Sequence, residues 1–184
     1  MSKPLTVLAP IAFVLAALSI APAAHAALKP GTKAPDFTTQ ASLAGKPFRF
    51  TLSQALKKGP VVLYFYPKAF TQGCTIEANM FADATADFRA AGATVIGVSA
   101  DDIRTLNDFS RKECRDKFAV AVGSPATIKA YDVVFARSPN LSDRTSYVIA
   151  PNRTVLYVHS DLNPADHVKN TLAAVRAWKA KKKG

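Results

Sequence analysis

Cysteine is almost missing from this chain: Cys74 and Cys114 are the only two among 184 residues. Two cysteines cannot build a multi-bridge disulfide framework, and the absence of a C-x-x-C pair removes the usual dithiol of exchange proteins. Histidine is scarce too, three in all with one at position 25. Neither zinc nor haem ligand spacing can be assembled, so no metal or other cofactor is expected. Acidic residues are few, 13 against 24 Lys and Arg, for a net charge of +11. Such a surplus favours anionic surfaces. No nucleic-acid motif accompanies it and the cations are scattered, which reads as a soluble basic surface without a nucleic-acid partner. Outside the first twenty residues no apolar run is long enough to span a bilayer, so no stable membrane insertion is expected. Repeats, low-complexity tracts and internal linkers are also absent. What remains, 49% hydrophobic and 20% charged, suits one globular domain with a sizeable core.

The first 26 residues stand apart. Lys3 forms a thin basic start, Leu5 to Ile20 an apolar core broken by Pro10, and Ala24-His25-Ala26 a small-x-small site. This is the pattern of a secretory signal peptide cut before Ala27. The expectation is a periplasmic or secreted protein, with residues 27–184 as a single domain.

That domain is organised around residues 61–80. Val61 to Tyr66 is a six-residue apolar and aromatic run between Gly59-Pro60 and Pro67. It suits a strand covered on both faces. From Cys74 onward, Ile76, Met80, Phe81, Ala84 and Phe88 recur at helical spacing. Cys74 therefore stands where a buried strand hands over to a helix N-terminus. Unpaired N–H groups and the helix dipole act on it there and favour the reactive thiolate. Thr71 lies three residues earlier, close enough to bring a hydroxyl to the sulfur, and Pro67 stiffens and shields the loop.

The constellation Pro67-x-x-x-Thr71-x-x-Cys74 resembles the active-site signature of the peroxiredoxins. The run Y-F-Y-P-K-A-F-T-Q-G-C-T-I-E-A is similar to their bacterioferritin-comigratory-protein, or peroxiredoxin Q, branch. Gly31-Thr-Lys-Ala34-Pro35-Asp36-Phe37 and Asp143-Arg144-Thr-Ser-Tyr147-Val-Ile149 extend the resemblance to about residues 30–178. It implies an α/β, thioredoxin-like fold with a central mixed sheet flanked by helices. It also implies a cofactor-free thiol peroxidase acting on hydrogen peroxide and organic hydroperoxides, with a thioredoxin-like or other dithiol reductant. Cys74 would attack the peroxide and become a sulfenic acid. Thr71 and Arg144 would supply donors to the displaced oxygen, with Arg137 and Arg153 as weaker candidates for the arginine. Glu77 either orients that arginine or is an ordinary carboxylate near the helix start.

Two departures from the branch matter. Gln72-Gly73 stands where Pro-Gly is common. Asn79 occupies the position, five after the nucleophile, where many members carry a second cysteine. Some members place the resolving cysteine in a later helix, which assigns resolution to Cys114; otherwise Cys114 is a buried free thiol and the enzyme works with one cysteine. A thioredoxin-fold exchange protein and a non-catalytic binding protein with a structural Cys74–Cys114 bond are the alternatives. A monomer or weak dimer is expected.

The remaining elements follow from local patterns. Phe37 to Thr39 and Phe48 to Leu52 read as strands around a Gly45-Lys46-Pro47 turn, and Ser53 as the cap of a helix to Lys57. Gly92 ends the Cys74 helix. Thr94 to Ala100 is a second buried strand, and Asp101 or Asp102 caps a helix reaching about Cys114. The polar run Arg111 to Asp116 predicts a weakly held end, free to unwind when the cysteines pair. Phe118 to Val122 is a third strand, and Ser124-Pro125 starts a short helix through Tyr131. Arg144 to Ile149 and Thr154 to His159 form a hairpin. Pro164 opens a last helix with Val168, Leu172, Val175 and Trp178 inward. His159 and His167 read as packing or surface residues, and Asp161 and Asp166 as turn and cap chemistry. Phe65, Tyr66, Phe70 and Phe81 are aromatic candidates for core or pocket.

Overall fold

The computed structural model describes residues 27–182. The signal-peptide expectation falls on residues 1–26, which lie outside the described residues. Twelve elements follow in order: β1 Thr38–Leu43, β2 Lys46–Thr51, α1 Leu52–Leu56, β3 Val61–Phe65, α2 Gln72–Ala90, β4 Thr94–Ser99, α3 Ile103–Lys112, β5 Ala119–Val122, α4 Pro125–Ala130, β6 Thr145–Ile149, β7 Val155–Ser160 and α5 His167–Lys181. The strands form one mixed sheet in the order β2-β1-β5-β4-β3-β6-β7. β3, β4 and β5 run parallel in its middle, and antiparallel pairs lie on both flanks. Among the described residues no helix is long and apolar enough to cross a membrane.

Alternation along the central strand builds the layers. Val62, Tyr64 and Tyr66 face a core shared with α2, α3 and α5, where Phe81, Phe88, Leu106, Phe109 and Val175 are buried. Val61, Leu63 and Phe65 face the opposite core with Leu52, Leu56 and Ile128 from α1 and α4. Successive side chains of a strand point to opposite faces, so a continuous apolar run is what a strand between two helical layers requires.

The antiparallel register places the site. Phe65 pairs with Thr145 and Val61 with Ile149. Arg144, immediately before Thr145, therefore enters beside Tyr66, at the carboxyl edge of β3. At that edge the chain turns into α2, and β4 ends one strand away, with Phe65 opposite Val98. Thr145 also pairs with Ser160, which brings the segment after β7 to the same edge.

Several local expectations are corrected. The β1–β2 turn is Ala44-Gly45, with φ of 53° and 72°, and Pro47 lies inside the edge strand opposite Ser42. A two-residue hairpin turn with both φ positive matches the twist of its strands, and an edge strand tolerates the missing Pro N–H. Ser53 caps nothing: α1 begins at Leu52 behind Thr51, and the Ser53 N–H instead donates to Asp36 Oδ1 at 2.9 Å. α2 starts at Gln72, making Cys74 its third residue. Ile76 is 45% exposed; Ala78, Phe81, Ala82 and Phe88 carry the inner face. At the other end Ala93 N–H donates to Phe88 O and Gly92 N–H to Arg89 O, at 2.8 and 2.9 Å. These are the two bonds of a Schellman cap around Gly92, whose φ is 85°. Asp102, not Asp101, caps α3, and α3 stops at Lys112, short of Cys114. The last helix begins at His167 rather than Pro164, with Asp166 at the cap position but making no cap bond.

Candidate active site

The loop between β3 and α2 is held from four directions. Tyr66 N–H donates to Val98 O at 3.0 Å, and Ser142 Oγ donates to Tyr66 O at 2.8 Å. Ala69 N–H donates to Asp101 Oδ2 at 2.8 Å. The same oxygen accepts from Ser99 Oγ at 2.8 Å. Thr71 Oγ donates to Lys68 O at 2.9 Å. Phe70 sits at a φ of 63°, strained backbone for a bulky residue and tolerated where surrounding bonds over-determine it. Ser142 was not singled out from sequence, and Asp101 only as a possible helix cap. The Asp101-Asp102 pair reads locally as cap chemistry, and only the fold shows that the two aspartates divide the work.

Cys74 is buried, 1% exposed, in the first turn of the nineteen-residue α2, which has no acidic residue in that turn. Arg144 comes to it from the neighbouring strand: Nη2 donates to Cys74 Sγ at 3.5 Å. Gly73 eases the approach, since a Cβ there would lie 3.0 Å from Nη2 and press it aside by a few tenths of an ångström. The other two guanidinium nitrogens also have partners, which leaves one N–H on each of Nη1 and Nη2. Nε donates to Leu162 O at 2.8 Å, and Nη1 to Glu77 Oε2. Glu77 is completely buried. Of its two sequence readings the structure bears out the first: it holds the arginine. Burial works against the Arg144 charge, but Glu77 and Cys74 raise its pKa above the ordinary value. Neither Arg137 nor Arg153 has a contact with the sulfur.

His167 takes the packing half of its sequence reading, with polar partners. It is fully buried and stands behind Glu77, with Nδ1 3.6 Å from Glu77 Oε1. Ser146 Oγ lies 2.8 Å from Nδ1, and the Asp161 carbonyl 2.8 Å from Nε2. No local pattern marks it, because its partners come from α2, β6 and the segment after β7.

The structure brings Cys74, Arg144 and Glu77 together, with Pro67 half-buried and Thr71 exposed on the loop in front. The Thr71 hydrogen is committed to Lys68 O, which corrects the expectation of a free donor. Phe65, Tyr66 and Phe81 are core. Phe70 is 44% exposed and packs edge-on against Phe109 at 5.2 Å. Cys114 is not in the cluster. Both cysteines are free and buried, so the structural-disulfide alternative has no bond to rest on. Tyr64 and Tyr66 lie within electrostatic reach of both thiols; their phenols are pushed well up by burial first and next by Cys114. A groove of about 630 Å³ lies at the opposite sheet edge among Phe48, Lys58, Arg89 and Lys117. A peroxide, two oxygens and a small substituent, needs no such volume.

A family model described as "AhpC/TSA family" matches residues 30–158. The chain belongs to that family. Rice peroxiredoxin Q, a chloroplastic protein of Oryza sativa subsp. japonica, is 32% identical over 148 residues, covering 80% of this chain and 66% of its own length. The chain thus spans about two thirds of that relative. The crystal structure of peroxidoxin BcpB from Mycobacterium tuberculosis is 33% identical and covers 82% of this chain and 97% of that one, with a TM-score of 0.71. Peroxiredoxin Q of Xanthomonas campestris is 29% identical, covers 76% and 90%, and has a TM-score of 0.67. Membership makes this chain a peroxiredoxin with a thioredoxin-like fold, and thiol-dependent peroxidase is the enzyme class it brings.

Proposed function

We propose that the chain reduces hydrogen peroxide and small organic hydroperoxides with Cys74 as the attacking thiolate. The observation that carries this is Arg144 Nη2 at 3.5 Å from a buried Sγ in the first turn of a helix. A planar cationic fork there can hold the sulfur and the peroxide oxygen together. The thiolate takes one oxygen of R–O–O–H, the O–O bond breaks, and the alkoxide or hydroxide leaves to be protonated. Sulfur is oxidised to the sulfenic acid. Thr71 offers lone pairs to the peroxide O–H, Arg144 and the Cys74 N–H offer donors to the departing oxygen, and Pro67 screens the sulfur from water.

Cys114 then resolves: its sulfur displaces water from the sulfenic acid and a Cys74–Cys114 disulfide forms. A thioredoxin-like or other dithiol restores both thiols by exchange. Resolution inside one chain needs no second copy, in keeping with a monomer or weak dimer. The chain works outside the cytoplasm after losing residues 1–26. Supporting this are the leader pattern of those residues and a family match that begins only at residue 30.

Peroxide consumption by the parent chain, Cys74→Ser and Cys114→Ser tests the assignment. Cys74→Ser should lose turnover, and Cys114→Ser should consume about one equivalent and stop unless an outside thiol is added. Full activity in Cys74→Ser ends the assignment. Turnover in Cys114→Ser at the parent rate with the same dithiol favours the one-cysteine route, which the burial of Cys114 also suits.

A further inference from the structure

Glu77 Oε1 is buried and has no hydrogen-bond partner among the described residues. The imidazole of His167 faces it, with Nδ1 3.6 Å away, and the tautomer of that ring is fixed by its surroundings. Nε2 faces the Asp161 carbonyl at 2.8 Å, and a carbonyl only accepts, so Nε2 carries the hydrogen. Nδ1 then presents its single lone pair, which lies 2.8 Å from Ser146 Oγ and becomes open to a Glu77 hydrogen when the Ser146 hydroxyl rotates away and Oε1 moves closer. With Glu77 ionised, two acceptors would stand 3.6 Å apart with no proton between them, in a site closed to water. Such an arrangement is costly until a proton enters it.

The charge count says when that proton belongs there. With Cys74 as a thiol, Arg144 positive, Glu77 ionised and His167 neutral, the cluster has no net charge. Loss of the thiol proton to water would leave one uncompensated negative charge, which burial disfavours strongly. A proton taken from water onto Glu77 Oε1, donated toward His167 Nδ1, restores neutrality and leaves the Arg144 charge to the sulfur. One proton leaves the cluster and one enters.

We propose that Glu77 and His167 form a buried proton site that takes up one proton as Cys74 releases one, with His167 the positioning residue that accepts the Glu77 hydrogen. The proposal rests on the reading of Cys74 as the reacting thiolate. The groups facing the imidazole are Glu77 from α2, Arg144 ahead of β6, Ser146 within β6, His159 from β7 with ring centroids 4.5 Å apart, and Asp161 behind β7. Ionisation tendencies agree with the geometry. Burial pushes the Glu77 carboxyl up to about 8 although Arg144 pulls it down. Burial likewise pushes His167 down to about 4, against the Asp161 carbonyl bond.

Counting protons on alkylation tests this without using peroxide. Iodoacetamide converts a thiolate to a thioether and iodide, with no proton taken or given. In reduced Cys114→Ser chain, about one pH unit above the midpoint of its alkylation profile, Cys74 is the sole thiol and is ionised. Alkylation removes the negative sulfur, so the proton held by Glu77 should leave: about one proton per chain in weak buffer. None is expected after adding Glu77→Gln, whose amide mimics the protonated acid permanently. None is expected after adding His167→Asn, whose amide donates to Oε1 and keeps Glu77 ionised; Cys74 alkylation at neutral pH should also slow at least about threefold. Zero protons from the Cys114→Ser chain, or one still released with Glu77→Gln, overturns the proton site, and one still released with His167→Asn overturns the role of His167. If either added variant fails to fold, infrared difference spectra of the Cys114→Ser chain decide. Loss of a protonated-carboxyl band on alkylation supports the site, and no such band overturns it. A chain that releases the proton but consumes no peroxide keeps the site and loses the peroxidase reading; one that consumes peroxide and releases no proton loses the site alone.

Discussion

Three separate groups call on the Arg144 guanidinium: Leu162 O on Nε, Glu77 on Nη1 and Cys74 on Nη2. A lysine keeps one charge but cannot reach three partners in fixed directions from a single nitrogen. Arg144→Lys should therefore fold and still slow the peroxide reaction of Cys74 roughly tenfold or more, the range of a missing transition-state donor. Stopped-flow kinetics of sulfenic acid formation measure it, and an unchanged rate would remove Arg144 from the chemistry. Gly73 acts at the same scale. A Cβ there would crowd Nη2 at 3.0 Å, a preference at residue 73 that nothing in its own neighbourhood announces.

At the scale of elements, the end of α3 is held more firmly than its polar sequence suggests. Cys114 is fully buried in the core beside α2 and α3, and Phe118 is 4% exposed, which corrects the expectation of a weakly held end. Polar residues tie the segment to α2 as well: Asn79 Nδ2 donates to Glu113 Oε2 at 3.2 Å, Arg115 Nη2 donates to Asn79 O at 3.1 Å, and Arg115 pairs with Asp83. The residue that replaces the common second cysteine thus anchors the segment carrying the distant one. Burial first, then Glu113 and Asp116, push the Cys114 thiol well above its ordinary pKa, so in this closed form it is a protonated, weak nucleophile. Arg115 and Asp116 meanwhile sit at φ of 50° and 59°, strain that opening would release. Resolution is expected to require local opening, far cheaper than global unfolding. Asp83→Ala removes an exposed ion pair worth at most about 1 kcal/mol, so it should speed disulfide formation by up to about fivefold. A peroxide pulse followed by thiol trapping and mass measurement checks this, with faster amide exchange over residues 108–118 expected after oxidation. A variant that resolves at the parent rate would place the opening elsewhere.

Across the whole molecule, the sheet gathers the chemistry at one edge. The α2 start, the Asp101 end of β4, the Arg144 entry to β6 and the Asp161 exit from β7 all meet there. The buried pair leaves a trace in global stability. Folded Glu77 titrates near 8 instead of 4.5, and folded His167 near 4 instead of 6.5. While Cys74 is a thiolate, the folded pair between pH 4.5 and 6.5 holds its proton on Glu77 and the unfolded pair holds one on His167, so the counts match and the pair adds no slope. Glu77→Gln leaves His167 alone. Its unfolded form then binds the extra proton, and stability falls as pH drops from 6.5 toward 4.5. Above 6.5 the parent instead loses stability as the folded Glu77 nears its own pKa. The stability of Glu77→Gln relative to the parent should thus rise with pH from about 4.5 to 8, by up to about 1.4 kcal/mol per unit. Urea unfolding at matched pH values measures the difference, and a flat one would mean that Glu77 is not buried with a raised pKa.

The sequence by itself determined the elements whose causes are local. Val61 to Phe65 had to be a two-sided strand, Gly92 a helix stop, Ser124-Pro125 a helix start, and the Pro67–Cys74 run a strand-to-helix turn with a thiol at its head. Alternation, capping and missing N–H groups act over a few residues and can be read along the chain. Local signals were not enough where two neighbours competed for one role. Asp101 and Asp102 offered the same cap, the helix read as capped by Ser53 starts behind Thr51, and Gly45 turns with Ala44 rather than with Lys46 and Pro47. Only tertiary structure decided which buried polar groups meet. Glu77 lies 67 residues from Arg144 and 90 from His167 in sequence. The register of β6 against β3 puts Arg144 at the Cys74 edge, and the return of the chain after β7 sets His167 behind Glu77. A shift of one residue in that pairing would turn the β6 side chains to the opposite face of the sheet and move Arg144 away from the sulfur. The thiol could be found in the sequence, but the charge that faces it and the imidazole behind that charge depend on long-range register.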